Sequence, residues 1–171
     1  SPFFKKFDTI LSRFSEPLSA EKLNGFLKDR NVLASVMLSG AQKYNALLIT
    51  QADPIFENEL GNALSQSFEA RSLNYGGAKI FVFTDTSAEN TLYLSSHKGF
   101  LLVSLKKNLI EAGIRQIGSE LNLRDSKEFA KLLKTRNTKD LANVFLNLEE
   151  LPAYTKALLP QAETSFLKSL G

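Results

Sequence analysis

Between residues 69 and 104 the chain reads as short apolar runs that follow one another through very short loops. The clearest are Lys79–Asp85 (KIFVFTD), Thr91–Ser95 and Phe100–Ser104, punctuated by Gly76-Gly77, by a turn over 87–90 and by Ser96-His97-Lys98-Gly99. Strands joined by so few residues are antiparallel neighbours, because a parallel return needs a crossover of a dozen residues or more. This run therefore constrains the chain to an antiparallel or mixed sheet. The fold expected is α+β, with about five or six strands and helices packed on one face.

The rest of the chain supplies the other elements. Phe3, Phe7, Ile10, Leu11 and Phe14 fall at helical spacing, giving an amphipathic N-terminal helix with a heavy aromatic stripe. Ser19 reads as the N-cap of a helix over 20–29 that buries Leu23, Phe26 and Leu27. Val32–Leu38 is apolar on both faces and reads as a central strand, and Tyr44–Thr50 as its hairpin partner. Asp53-Pro54 is a strong helix start, an N-cap followed by proline at the first helical position. That helix, 54–67, is expected to bury Ile55, Phe56, Leu60, Ala63 and Leu64. Residues 69–75 read as a short strand. Ser104 reads as the cap of a helix to about Ile117, with Leu105, Leu109, Ala112 and Ile117 inward and Gly118 as C-cap. A helix from Ser126 to Lys134, a strand over 142–148 and a helix from Pro152 complete the expectation. The order β-β-α then β-β-β-α, with the echo of FLKDRN (26–31) in LLKTRN (132–137), suggests a duplicated β-β-α unit.

At 171 residues, with 43% hydrophobic and 23% charged residues, the chain is expected to form a single α+β domain. Its parts are an N-terminal amphipathic helix over 1–18, a core over 19–160 and a tail over 161–171. The chain opens Ser-Pro-Phe-Phe and has its one methionine at Met37, so it is expected to be a fragment of a larger protein. No apolar run approaches the length of a membrane-spanning helix.

Several chemistries are excluded by composition. Without cysteine there are no disulfides, thiolate metal sites or thiol nucleophile, and one histidine, His97, provides no His–His metal pair. No Walker loop, dinucleotide fingerprint or Gly-Xaa-Ser-Xaa-Gly elbow occurs. No catalytic, cofactor-binding or metal-binding set is assigned, and no cofactor is expected. What remains is a Ser-Xaa-Xaa-Lys spacing at Ser19–Lys22, Ser104–Lys107 and Ser165–Lys168, where an amine one helical turn away can take a hydroxyl proton. His97, with Asp85 or Glu89 brought near by the hairpin, is a further partner. The alternative to a non-catalytic domain is thus a serine hydrolase built around residues 95–107. A cap explains Ser104 without catalysis. Asp53 and Glu57 are explained by the positive end of a helix, and Glu57/Glu59 and Glu149/Glu150 suggest no glycosidase pair.

The net charge is +3, from 21 basic against 18 acidic residues, and the basic residues are scattered. No specific nucleic-acid partner is expected. The densest run, Lys127, Lys131, Lys134, Arg136 and Lys139, reads as a solvated helix face, with a weak anion-binding module as the alternative. Phe3, Phe4, Phe7 and Phe14 crowd the first helix, and Phe4 falls off the stripe. Core packing accounts for such a stripe; the alternative is that this helix docks on a protein partner or on the missing remainder of the chain. Sequence leaves the oligomeric state open.

Taken as a whole, the region 19–160 resembles an uncharacterised family of exported proteins from Bacteroides-type bacteria. The resemblance rests on LNGFLKDRNVLASVML (23–38), SSHKGFLLVSLKKNLIEAGI (95–114) and ANVFLNLEELP (142–152). In that family such a unit follows a membrane anchor or lipoprotein signal and precedes further β-rich sequence, with no catalytic motif. The resemblance implies a periplasmic or cell-envelope domain that binds or scaffolds.

Overall fold

A computed structural model describes residues 9–10, 12–28, 30–38, 44–119 and 125–135. The chain forms two compact units, one of Ser1–Ser39 with Tyr44–Gly118, the other of Gly40–Lys43 with Ser119–Gly171. The first holds a helix α1 (Ala20–Leu27), a hairpin of β1 (Leu33–Leu38) and β2 (Tyr44–Gln51), and a helix α2 (Pro54–Ser67). A meander of β3 (Glu69–Tyr75), β4 (Ala78–Asp85), β5 (Asn90–His97) and β6 (Phe100–Ser104) follows, then a helix α3 (Lys107–Gly118). Residues 9–10 and 12–15 are also helical. The second unit holds α4 (Lys127–Thr135).

The six strands form one sheet in the order β1-β2-β6-β5-β4-β3, every neighbouring pair antiparallel. Two of its hairpins close on two residues. Gly76-Gly77 and Lys98-Gly99 all have positive φ, between 46° and 81°, the geometry of a type I′ turn, whose twist matches that of the strands it joins. The class is α+β, as the glycine-punctuated run requires. The chain leaves β2 in the middle of the sheet, crosses to the far edge with α2, and returns strand by strand until β6 lies against β2.

Alternation along the strands sorts the core into two layers. Phe83, Leu92, Leu94 and Leu101 face one way and pack with Phe56, Leu60 and Leu64 of α2, Phe26 of α1 and Phe14. Leu47, Ile80 and Leu102 face the other way and pack with Leu109, Ile110 and Ile114 of α3. Helices thus cover both faces rather than the expected one. Amphipathicity tells a helix to bury a stripe but not which side of a sheet to bury it on. A duplicated β-β-α unit joined through the antiparallel pair β2–β6 would be related by an axis normal to the sheet, placing both helices on one face. The observed arrangement lacks that symmetry. The segment after α4 that carries the second half of the sequence echo lies outside the described residues.

Other boundaries differ for physical reasons. β1 is an edge of the six-stranded sheet, not a central strand, although it is apolar on both sides. Leu27 and Ile55, expected inward, are exposed at 40% and 75%. α1 ends at Leu27 because Lys28 leaves helical geometry. In α2 the stripe Phe56, Leu60, Leu64 is sufficient to meet the sheet. α3 starts at Lys107 and buries Leu109, Ile110, Gly113 and Ile114, with Ala112 and Ile117 only half-buried. Gly118 is its last helical residue and lacks a positive φ. The expected strand over 142–148 and the helix from Pro152 lie outside the described residues.

Candidate functional site

The reactive residues singled out by sequence are held apart by the sheet. Asp85 pairs with Asn90 at one end of β5, and His97 lies seven residues further along that strand, about 23 Å at ~3.3 Å per residue. Glu89 shares the Asp85 end. The hairpin that was to join His97 to these carboxylates instead separates them by its whole length. His97 pairs with Phe100, and Ser104 stands four residues beyond, about 13 Å away.

Ser104 is the last residue of β6, not a helix cap. It is buried, and its hydroxyl donates to the Ala46 carbonyl across the strand pair at 2.7 Å while accepting from the Lys106 N–H at 3.1 Å. The Lys107 amine lies 3.1 Å from Glu111, one turn along α3. The spacing that sequence offered as a Ser–Lys pair therefore resolves into a strand-pinning hydroxyl and a helix-surface ion pair. Ser95, fully buried, donates likewise to the Lys79 carbonyl at 2.9 Å. Ser19 caps α1 by accepting from the Lys22 N–H at 3.2 Å, and the Lys22 amine contacts Glu59 at 3.1 Å. Ser165–Lys168 lies outside the described residues.

The two perturbed carboxylates are structural. Asp53 Oδ1 accepts from the Ile55 and Phe56 N–H groups, Oδ2 contacts Arg30 Nη2 at 2.7 Å, and Glu57 Oε1 accepts from the Asp53 N–H. The Phe56 N–H foremost, with the Ile55 N–H and Arg30, holds the Asp53 carboxyl below its usual range, against an opposing effect of desolvation. Arg30 also donates to the Gln51 carbonyl and lies over the Phe26 ring. Asp85, buried at the end of β4, accepts at Oδ1 from the hydroxyl and N–H of Ser87. Arg13 Nη2 donates to that same hydroxyl at 2.7 Å, and its Nε lies 2.6 Å from Asp85 Oδ2. This last is an ion contact without hydrogen-bond alignment, since Oδ2 accepts no hydrogen bond. The Ser87 hydroxyl first, then its N–H and Arg13, lower the Asp85 pKa despite burial. The pair ties the N-terminal helical turn to the β4–β5 loop.

Apolar side chains gather at the opposite end of the sheet. Leu27, Val32, Leu33, Ile55 and Phe100 are all exposed there. Their convergence follows from the backbone. Gln51 pairs with Phe100, its carbonyl accepts from Arg30, and the Ala52 N–H donates to the Gly99 carbonyl at 2.9 Å. Thr50 donates to the Asn31 carbonyl at 3.1 Å, and Leu33 pairs with Ile49. The start of β1, the end of β2, the first turn of α2 and the 98–99 turn thus meet. Sequence reasoning missed this end because it assigned Leu27 and Ile55 to the interior. A bulky apolar residue beside a cap, outside the Phe56–Leu60–Leu64 stripe, was the available signal.

Phe14 is buried and packs on Phe68 with ring centroids 4.6 Å apart. This part of the first helix belongs to its own core, while Phe3, Phe4 and Phe7 lie outside the described residues. α4 is capped by the Ser126 hydroxyl, which accepts from the Phe129 N–H. It exposes Lys127, Lys131 and Lys134 at i, i+4, i+7 spacing, and Lys139 lies outside the described residues. Among the described residues no three metal-ligating side chains cluster and no helix is long and apolar enough to cross a membrane. Compared with known proteins, the chain matches no family model, no curated protein and no solved structure.

Proposed function

We propose that this chain is a non-catalytic binding or scaffolding domain of a cell-envelope protein, docking through the end of its sheet that carries the 98–99 turn. The observation that carries the reading is the gathering there of Ile55, 75% exposed, and Leu33, 60% exposed, with Val32, Leu27 and Phe100. Large apolar side chains left exposed together at one end of a fold are a mark of interaction sites. The commitment of the Ser104 hydroxyl and the Asp53 and Asp85 carboxylates to internal partners supports the same reading. The envelope assignment rests on the sequence resemblance to exported proteins.

A photo-crosslinking residue placed at Ile55 tests the reading in cells, with Glu89 at the far end as control. A discrete adduct from position 55 and none from position 89 is expected. No adduct from position 55, or equal adducts from both, would overturn it.

A further inference from the structure

We infer that this chain pairs with a second copy of itself through β3, edge to edge, joining two six-stranded sheets into one. The surface is separate from the apolar end, and the pairing does not depend on what docks there. β3 closes one side of the sheet, and its register with β4 runs without a bulge from Glu69 opposite Thr84 to Tyr75 opposite Ala78. The two-residue Gly76-Gly77 turn makes Tyr75 and Ala78 a hydrogen-bonded pair, so Leu73, Arg71 and Glu69 also turn their backbone groups towards β4. The N–H and C=O groups of Ala70, Ser72 and Asn74 therefore point away from the sheet, where no strand meets them among the described residues. All three residues are exposed. Sheet edges are ordinarily guarded by prolines, bulges or charges, and these three positions carry none of them.

The outward groups are self-complementary. Two β3 strands related by a two-fold axis at Ser72 pair Ser72 with Ser72, and Ala70 with Asn74 on each side, so every outward N–H and C=O finds a partner. Such main-chain pairing is the source of affinity in strand addition. In that register Glu69 of one copy falls opposite Tyr75 of the other, on the α3 face. The Tyr75 hydroxyl accepts from Arg115 Nη1 at 2.5 Å, and the guanidinium lies over its ring. Neither Glu69 nor Arg115 has an ion-pair partner among the described residues. Pairing sets each Glu69 carboxylate beside Arg115 of the other copy, at a non-hydrogen-bonded position where facing side chains stand closest. The two-fold axis makes this contact twice. Against it, the two copies of Arg71 stand diagonally across the axis, about 7–8 Å apart.

Sedimentation equilibrium and cysteine crosslinking of the whole chain test the pairing. A species of twice 19.0 kDa is expected. The chain has no cysteine, so single cysteines report the register. Ser72→Cys should give a disulfide-linked dimer on mild oxidation. Ala70→Cys or Asn74→Cys alone should not, because their copies lie about 13 Å apart along the strands. Ser72→Pro should abolish the dimer. Its N–H points away from β4, so the fold loses no strand bond, and circular dichroism and the urea midpoint will report an intact fold. Glu69→Arg and Arg115→Glu should each weaken the dimer several-fold, and the two together should restore it. Arg71→Gln should tighten it. A monomer at the concentrations of an NMR sample, a dimer untouched by Ser72→Pro, equal crosslinking from positions 70, 72 and 74, a charge exchange that restores nothing, or a dimer weakened by Arg71→Gln would overturn the inference. A dimer kept in Ser72→Pro but lost in Leu33→Ser with Ile55→Ser would place the contact at the apolar end, so that the edge pairing falls and the docking end stands.

Discussion

The ring of Phe26 lies flat on that of Phe56, centroids 3.7 Å apart and planes 6° from parallel, and the Arg30 guanidinium sits 4.6 Å from the Phe26 centroid. Aromatic pairs ordinarily prefer an offset or an edge-to-face arrangement, because two ring faces are both negative. A cation stacked on Phe26 offsets that repulsion, and Asp53, the cap of α2, holds the cation in place. One chain of contacts thus joins α1, the α1–β1 connection and the start of α2. Phe26→Ala is expected to cost about 3–5 kcal/mol, the range for a buried phenylalanine. Arg30 and Asp53 should be coupled. A double-mutant cycle of Arg30→Ala and Asp53→Asn, read by urea unfolding, should return a nonzero interaction energy; strict additivity would show that the stack stands without the ion pair.

Gly113 marks the closest approach of α3 to the sheet. A Cβ there would collide with Leu102 Cδ2 and stand 3.2 Å from Leu47 Cδ2. Helix propensity alone predicts a gain of about 1 kcal/mol for alanine. Overpacking in a close-packed core costs about 1–3 kcal/mol. Sterics should win, so Gly113→Ala should lower the thermal midpoint, while Gly61→Ala, with open space at its Cβ position, should raise it.

Acid should weaken the first unit through Asp85 and Asp53. Both carboxyls are held below their ordinary value of 3.8 in the folded protein. A depressed pKa contributes stability that is present above the unfolded value and lost as pH falls through the folded one. The urea midpoint should therefore hold level above pH about 5 and fall as pH drops through and below 3.8. Asp85→Asn should start lower and decline less steeply. An acid slope unchanged in that variant would mean that the Arg13–Ser87–Asp85 contact contributes nothing to the folded state.

Ser104 separates a structural hydroxyl from a nucleophilic one. Its proton is given to the Ala46 carbonyl within a buried strand pair. Ser104→Ala should cost about 1–3 kcal/mol, the consequence of leaving a buried carbonyl without its donor. A fluorophosphonate probe should leave the wild-type chain unlabelled. Labelling that disappears in Ser104→Ala would restore the hydrolase alternative.

Legibility in the sequence followed the range of the forces involved. Gly76-Gly77 and Lys98-Gly99 set turns through the φ values of their own residues, so the antiparallel meander could be read directly. Asp53-Pro54 acts over one helical turn, and α2 starts where it was expected. Ile55 and Phe56 are adjacent and both bulky, however, and only the sheet decides which is buried. Ser104 carries the same local pattern whether it ends a strand or caps a helix; what distinguishes them is Ala46, on a strand fifty-eight residues away in sequence. The separation of His97 from Asp85 depended on how far β5 runs before it turns. The exposed apolar end was hidden because it is assembled from separate segments of the chain.

The 98–99 turn offers a test in which backbone geometry alone decides the sign. Lys98 has φ 46° and Gly99 φ 81°, and a type I′ turn needs positive φ at both positions, where Asn-Gly is favoured. For most side chains the left-handed region costs about 1–2 kcal/mol. Gly99→Ala should therefore destabilise by about that amount, even though a Cβ there meets nothing within 4 Å. Lys98→Asn replaces a residue that tolerates the region poorly with one that enters it readily, so the urea midpoint should rise. If Gly99→Ala were neutral, the turn would have to adopt another type, and the pairing of His97 with Phe100 would shift in register; cross-strand amide contacts measured by NMR would reveal it.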